Sequence, residues 1–145
     1  MHVLKCLLRL VSKQGDVTCA FLCTHLNENE KVSVDIPLGF KKYDSSGKEK
    51  VLPLKRTLYG LRQSPRAFWK YVTDKLVRCR MTQSKFDPCL FISEQVICIM
   101  HVDDLLFWSV DEQHIITLGV ALQKEGVLLE VEGDPARFLG VKLTC

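Results

Sequence analysis

No apolar run in the sequence is longer than five residues, and residues 96–100 form one of that length. This excludes a bilayer-spanning helix, which needs about 20 consecutive apolar residues. Residues 1–5 (MHVLK) lack the basic stretch and long apolar segment of a secretory signal, so a reducing, intracellular compartment is expected. No Cys-x-x-Cys pair occurs, although seven cysteines stand at 6, 19, 23, 79, 89, 98 and 145. Cys19 and Cys23 are four apart with no second pair of matching spacing, which argues against a zinc site. Each cysteine lies among Leu, Phe, Val or Ile, so small buried hydrophobes in a reducing environment are expected. Internal repeats, low-complexity tracts and linkers are also lacking. A length of 145 residues suits one domain, taken as 1–145.

What is present is globular in composition, with 47% hydrophobic and 26% charged residues. The net charge of +3 is small but unevenly spread. Residues 41–70 hold nine Lys and Arg against Asp44 and Glu49, a local +7 that leaves −4 on the remainder. Such a basic island suits a polyanionic partner; a solvated surface loop is the alternative.

Periodicity outlines the elements. Val3, Leu4, Leu7, Leu8 and Val11 have helical spacing, which predicts a helix over 3–13 ended by Gly15, and makes 12–15 a poor strand. Residues 16–22 read as a strand end turning into a helical turn. Val32, Val34 and Ile36 alternate with Lys31, Ser33 and Asp35, and 49–54 returns as a second strand across a polar turn at 44–47. Ser64 and Pro65 predict an N-cap and first position for a helix reaching about 79, with Phe68, Val72, Leu76 and Cys79 as its stripe. Residues 89–92 and 96–100 form another hairpin, and 105–108 a further buried run. Asp111 caps a helix that buries Ile115, Leu118 and Leu122, and 127–131 and 138–143 finish as strands. Helices after hairpins indicate an α+β fold with a mainly antiparallel sheet.

The chemically informative segment is 96–108. Two buried strands meet at Asp103 and Asp104 across a link so short that it must be a tight hairpin turn. Such turns want Gly or Asn at positive φ, so β-branched Val102 is expected to be strained. Adjacent carboxylates on a rigid apex repel unless a cation joins them, and Mg²⁺ takes carboxylate oxygens. Asp16 ends another apolar element and supplies a third carboxylate. Polar turn filler for Asp103 and Asp104, and a helix N-cap for Asp16, are the plain alternatives.

Six segments in order then make a pattern: 16–22 (DVTCAFL), 36–40 (IPLGF), 58–69 (LYGLRQSPRAFW), 87–92 (DPCLFI), 101–104 (HVDD) and 138–140 (FLG). Together they resemble the reverse transcriptase of copia-type retrotransposons from Asp16 onward. The resemblance implies the palm of a right-hand polymerase with truncated fingers, the N-terminal fingers, thumb and RNase H regions lying outside the chain. It implies RNA-directed DNA synthesis from deoxynucleoside triphosphates with two Mg²⁺ or Mn²⁺ ions held by Asp16, Asp103 and Asp104 as catalytic residues. Phe21 matches the aromatic under the nucleotide sugar. Tyr59, Gly60, Arg62, Gln63, Ser64, Pro65 and Arg66 match the segment beneath nucleotide and template. His101, where the family usually carries Tyr, and Val102 match the primer side. Partners implied are an RNA or DNA template-primer, deoxynucleotides and the rest of a polyprotein (integrase, RNase H). No membrane is implied. The implied location is cytoplasmic, within virus-like particles for an intact element, or nuclear. A catalytically inactive remnant that only binds nucleic acid, and a nuclease-like domain using the same carboxylates, are the competing expectations.

Overall fold

Strands form where alternate side chains can share one buried face. The computed structural model describes residues 7–26 and 29–133, with the backbone alone of 137–138 and 141–142. In chain order these give β1 (Val11–Val17), a 3₁₀ turn (Ala20–Leu22), β2 (Ser33–Asp35), β3 (Val51–Pro53) and α1 (Ser64–Arg78). Then come β4 (Thr82–Gln83), β5 (Leu90–Ile92), β6 (Val96–His101), β7 (Asp104–Ser109), α2 (Glu112–Lys124), β8 (Leu129–Val131), β9 (Arg137–Phe138) and β10 (Val141–Lys142). The principal sheet runs β4-β5-β6-β7-β1-β8, and every neighbouring pair is antiparallel. The α+β expectation holds at this level.

One face of that sheet builds the core. Val17, Phe91, Cys98, Met100, Leu105, Phe107 and Leu129 join Phe68, Val72 and Leu76 of α1 and Ile115, Leu118 and Leu122 of α2 in a single apolar cluster. Register places Asp16 and Asp104 on the opposite face, which leaves the carboxylates free of the core. The α2 stripe begins after Asp111, whose carboxylate accepts from the Gln113 amide, as an N-cap should. β2 and β3 form the expected separate hairpin. In its tip the Asp44 carboxylate accepts from the Ser46 hydroxyl and from the Ser46 and Lys48 amides, which holds its pKa below the usual value.

Several expectations are corrected. The helix over 3–13 does not persist. Leu7 and Leu8 are helical, residues 3–6 lie outside the described residues, and from Val11 the chain is strand. Residues 12–15 are far from a poor strand, because all four pair with β7 and the end of β1, from Gly15, pairs with β8 as well. Pairing satisfies its backbone and overrides the helical spacing. Ser64 is the first residue of α1 rather than its N-cap; Gln63 takes that place without a side-chain bond, and the Ser64 hydroxyl donates to the Leu58 carbonyl. Beyond 133 two short strands, β9 and β10, pair with each other where one strand was expected. The cysteines also differ from a uniform buried set. Cys98 is buried, Cys23, Cys79 and Cys89 are half-buried, and Cys19 is exposed; Cys6 and Cys145 lie outside the described residues.

Candidate active site

The β6–β7 hairpin turns on two residues, Val102 and Asp103, between the cross-strand pair His101 and Asp104. Val102 has φ 56, left-handed, as the turn requires and as a β-branched side chain resists. Asp103 follows in the turn and Asp104 starts β7. Asp16 on β1 stands directly opposite Asp104 in the β1–β7 ladder and opposite Glu130 in the β1–β8 ladder. Directly opposed residues in such ladders have Cβ atoms about 4.5–5.5 Å apart. The result is a row of titratable side chains across four strands: His101, Asp104, Asp16 and Glu130.

The end of β1 is fixed on both flanks. The Val17 amide donates to the Asp103 carbonyl at 3.3 Å, and the Thr18 amide to the Leu128 carbonyl at 2.9 Å. Immediately before Asp16, Gly15 lets Phe107 and Leu129 close in from the core side; a Cβ there would lie 2.9 Å and 2.8 Å from their atoms. Support for Asp16 is therefore provided by the sheet rather than by a preceding helix.

Electrostatics agree with this crowding. Partial burial, then the charges of Asp103, Asp104, Glu132 and Glu130, push the Asp16 carboxyl above the usual carboxylate range. The Gln14 side-chain amide donates to Asp104 Oδ1 at 3.3 Å. The Tyr59 hydroxyl is also raised, first by burial and then by the charges of Asp103, Cys19 and Asp16. Its ring meets Phe21 edge-on at 4.7 Å, and Phe21 meets Phe68 at 5.9 Å. Phe21 is thus a buried aromatic of the core whose ring also meets Tyr59. The buried Thr57 hydroxyl donates to the Phe21 carbonyl and pairs with Thr24 Oγ1 at 2.6 Å, joining the two segments.

The remaining candidates lie on the segment leading into α1 and on its first turn. Gly60 has φ 89, and open space lies where its Cβ would be. Conformation therefore demands glycine there, and the clearance leaves room for a close approach. Arg62 is exposed just before α1 and Pro65 and Arg66 are exposed on its first turn, while Gln63 is half-buried and Ser64 is buried. Phe138, Leu139 and Gly140 lie outside the residues with described side chains. Sequence reasoning missed Gln14, Glu130 and Thr57. Gln14 and Asp16 share a face by their spacing of two, but nothing in the sequence gives the register that brings Asp104 within reach.

Among the described residues, no group of three or more His, Cys, Asp or Glu side chains is gathered tightly enough to hold a metal ion. Asp16 and Asp104 face each other across the β1–β7 ladder and Asp103 sits in the adjoining turn, an open arrangement rather than a closed cage. Their chemistry nevertheless fits a hard divalent cation. All are carboxylate oxygens, and the repulsion that adds to burial in raising Asp16 is of the kind such a cation relieves.

Comparison with known proteins points the same way. Residues 7–145 match the family described as "Reverse transcriptase (RNA-dependent DNA polymerase)". The chain is 31% identical over 142 residues to the retrovirus-related Pol polyprotein from transposon TNT 1-94 of Nicotiana tabacum, a match that covers 94% of this chain and 10% of that protein. It is 28% identical over 99 residues to the truncated transposon Ty1-A Gag-Pol polyprotein of Saccharomyces cerevisiae, covering 68% of this chain and 8% of that protein. The same identity and length relate it to the yeast transposon Ty1-DR5 Gag-Pol polyprotein, of which 5% is covered. The chain thus spans a tenth or less of the length of these curated relatives. With the carboxylate row at its β6–β7 turn and a family match over nearly its whole length, the chain belongs to the reverse transcriptase family of copia-type retrotransposons.

Proposed function

We propose that this chain forms the palm-type catalytic centre, with part of the fingers, of an RNA-directed DNA polymerase that extends a primer 3′-hydroxyl with deoxynucleoside triphosphates. The observation that carries the reading is the register that sets Asp16 opposite Asp104, with Asp103 at the strained turn beside them. In this reading Asp16 and Asp103 hold two Mg²⁺ or Mn²⁺ ions and Asp104 supports them. The bound ions supply activation of the 3′-hydroxyl and charge neutralisation on the departing pyrophosphate.

The protein's own groups do the rest. Phe21, backed by Phe68, gives the sugar of the incoming nucleotide a rigid apolar edge that disfavours a 2′-hydroxyl. Tyr59 and Gly60 form the floor on which a base or sugar rests. His101 and Val102 face the primer end. Gln63, Ser64 and Pro65 shape the turn that presents Arg62 and Arg66 to the template strand, and the remaining cations of 41–70 add phosphate contacts that are salt-dependent by nature. The working context is a Pol polyprotein in the cytoplasm, with template-primer as partner.

The test is extension of a primed RNA template by the purified chain with deoxynucleotides and Mg²⁺, with an Asp103→Asn, Asp104→Asn variant as control. Extension by the wild type alone is the expected result. Salt-sensitive binding of primed duplex without extension would overturn the catalytic reading in favour of a silent nucleic-acid binder. Cleavage without extension would favour a nuclease.

A further inference from the structure

We propose that Gln14 is a positioning residue of this site, clamping the Asp104 carboxylate through one oxygen so that the other is left to face the bound cations. The inference rests on the reading of the site as a divalent-ion centre. Gln14 lies on β1 two residues before Asp16 and on the same face. Its directly opposed residue on β7 is Leu106, so its amide reaches along the ladder to Asp104, where Nε2 donates to Oδ1 at 3.3 Å. One end of that bond is thus anchored to the strand that carries Asp16, and the other to the strand that begins at the turn.

The choice of an amide has a physical reason. Asp104 shares its surroundings with Asp16 directly opposite and Asp103 adjacent, and Glu130 lies one strand further along. Repulsion would rotate an untethered Asp104 carboxylate outward. A lysine or arginine at position 14 would also hold it, but would spend its negative charge and compete with a cation for it. A neutral donor fixes the orientation and leaves the full charge for the cation. Outer-shell partners of ligating carboxylates act in this way, and losing one typically costs about 10–100-fold in metal affinity. Because this bond is a single neutral one, the lower end applies.

The experiment uses the 145-residue chain with Mn²⁺ as the probe, its free concentration read by electron paramagnetic resonance. Gln14→Met keeps the length and shape of the side chain but removes the donor. It should weaken Mn²⁺ binding about tenfold with a nearly unchanged melting temperature, and it should have no further effect in an Asp104→Ala background. In the wild type, one Gln14 side-chain amide proton should resonate away from the free-glutamine position and return to it in Asp104→Ala. Wild-type affinity in Gln14→Met, or an equal loss in both backgrounds, would overturn the clamp. If the wild type binds no Mn²⁺ at all, the divalent-ion reading of the site falls first and the positioning role with it. That outcome is distinct from one in which Mn²⁺ binds but Gln14 is indifferent.

Discussion

Replacing Gly15 by alanine should destabilise the chain, although alanine ordinarily outperforms glycine inside a strand by about 0.5–1 kcal/mol. The reason is the close approach on the core side of β1. The new methyl would lie 2.8 Å from Leu129 Cδ1 and 2.9 Å from Phe107 Cε2. Both side chains are almost wholly buried, at 1% and 0% exposure, so neither has space to retreat into. Forcing an extra carbon into such a contact costs about 1–3 kcal/mol. Set against the strand preference, the net loss is about 1 kcal/mol and at most about 2.5 kcal/mol, the central value being roughly 2–5 °C in melting temperature for a domain of this size. Thermal or urea unfolding of Gly15→Ala, Leu129→Ala and the double variant reads this directly. Leu129→Ala alone should cost about 2–5 kcal/mol, and the double variant should be at least about 1 kcal/mol more stable than the sum of the two. A Gly15→Ala chain that melts above the wild type, or losses that add without coupling, would refute the close-approach argument for how Asp16 is seated.

Two further outcomes test the surroundings of the site. Thr57→Val should cost about 1–3 kcal/mol in urea unfolding, because the Phe21 carbonyl and the Thr24 hydroxyl lose their buried partner; Thr57→Ser should restore most of it, and a valine variant as stable as wild type would contradict the hub. Without divalent ions and at low salt, Asp16→Asn should melt higher than wild type at neutral pH, since burial and then the charges of its acidic neighbours disfavour the ionised Asp16. The folded-state pKa of Asp16 is raised, so acidification through it protonates and relieves the wild type, and the gap should close there. A gap that stays constant with pH would count against the crowding.

Much of this was legible in the sequence, and the failures share a cause. Elements that bury one face through local spacing, such as α1 with Phe68, Val72 and Leu76 or α2 with Ile115, Leu118 and Leu122, are visible because the period alone defines them. The β6–β7 turn announced itself by the residues that violate turn preferences. β1 did not. Its Ser12, Gln14 and Asp16 point away from the core and Gly15 has no side chain to show, so the strand has almost no apolar alternation to read. It exists because partners far along the chain pair with both of its edges. The Gln14–Asp104 bond and the Asp16–Glu130 pairing were hidden for the same reason, since both depend on register between distant strands. Ser64 misled because its hydroxyl serves the carbonyl of Leu58, outside the helix, instead of the helix's own amides.

The insertion of β1 between β7 and β8 also bears on how the chain is made. β1 ends at Val17, while its partners begin at Asp104 and Leu129, so an interior strand is translated first and waits for both neighbours. At ribosomal speeds of about 5–20 residues per second, that wait is on the order of 5–20 s. Its later neighbour β7 folds with β6 into a hairpin within about 10 µs of emerging. Asp16 thus joins Asp103 and Asp104 only when β1 docks against the much later β7. A ribosome that stops before β7 releases a polypeptide with an unmatched strand and no assembled carboxylates.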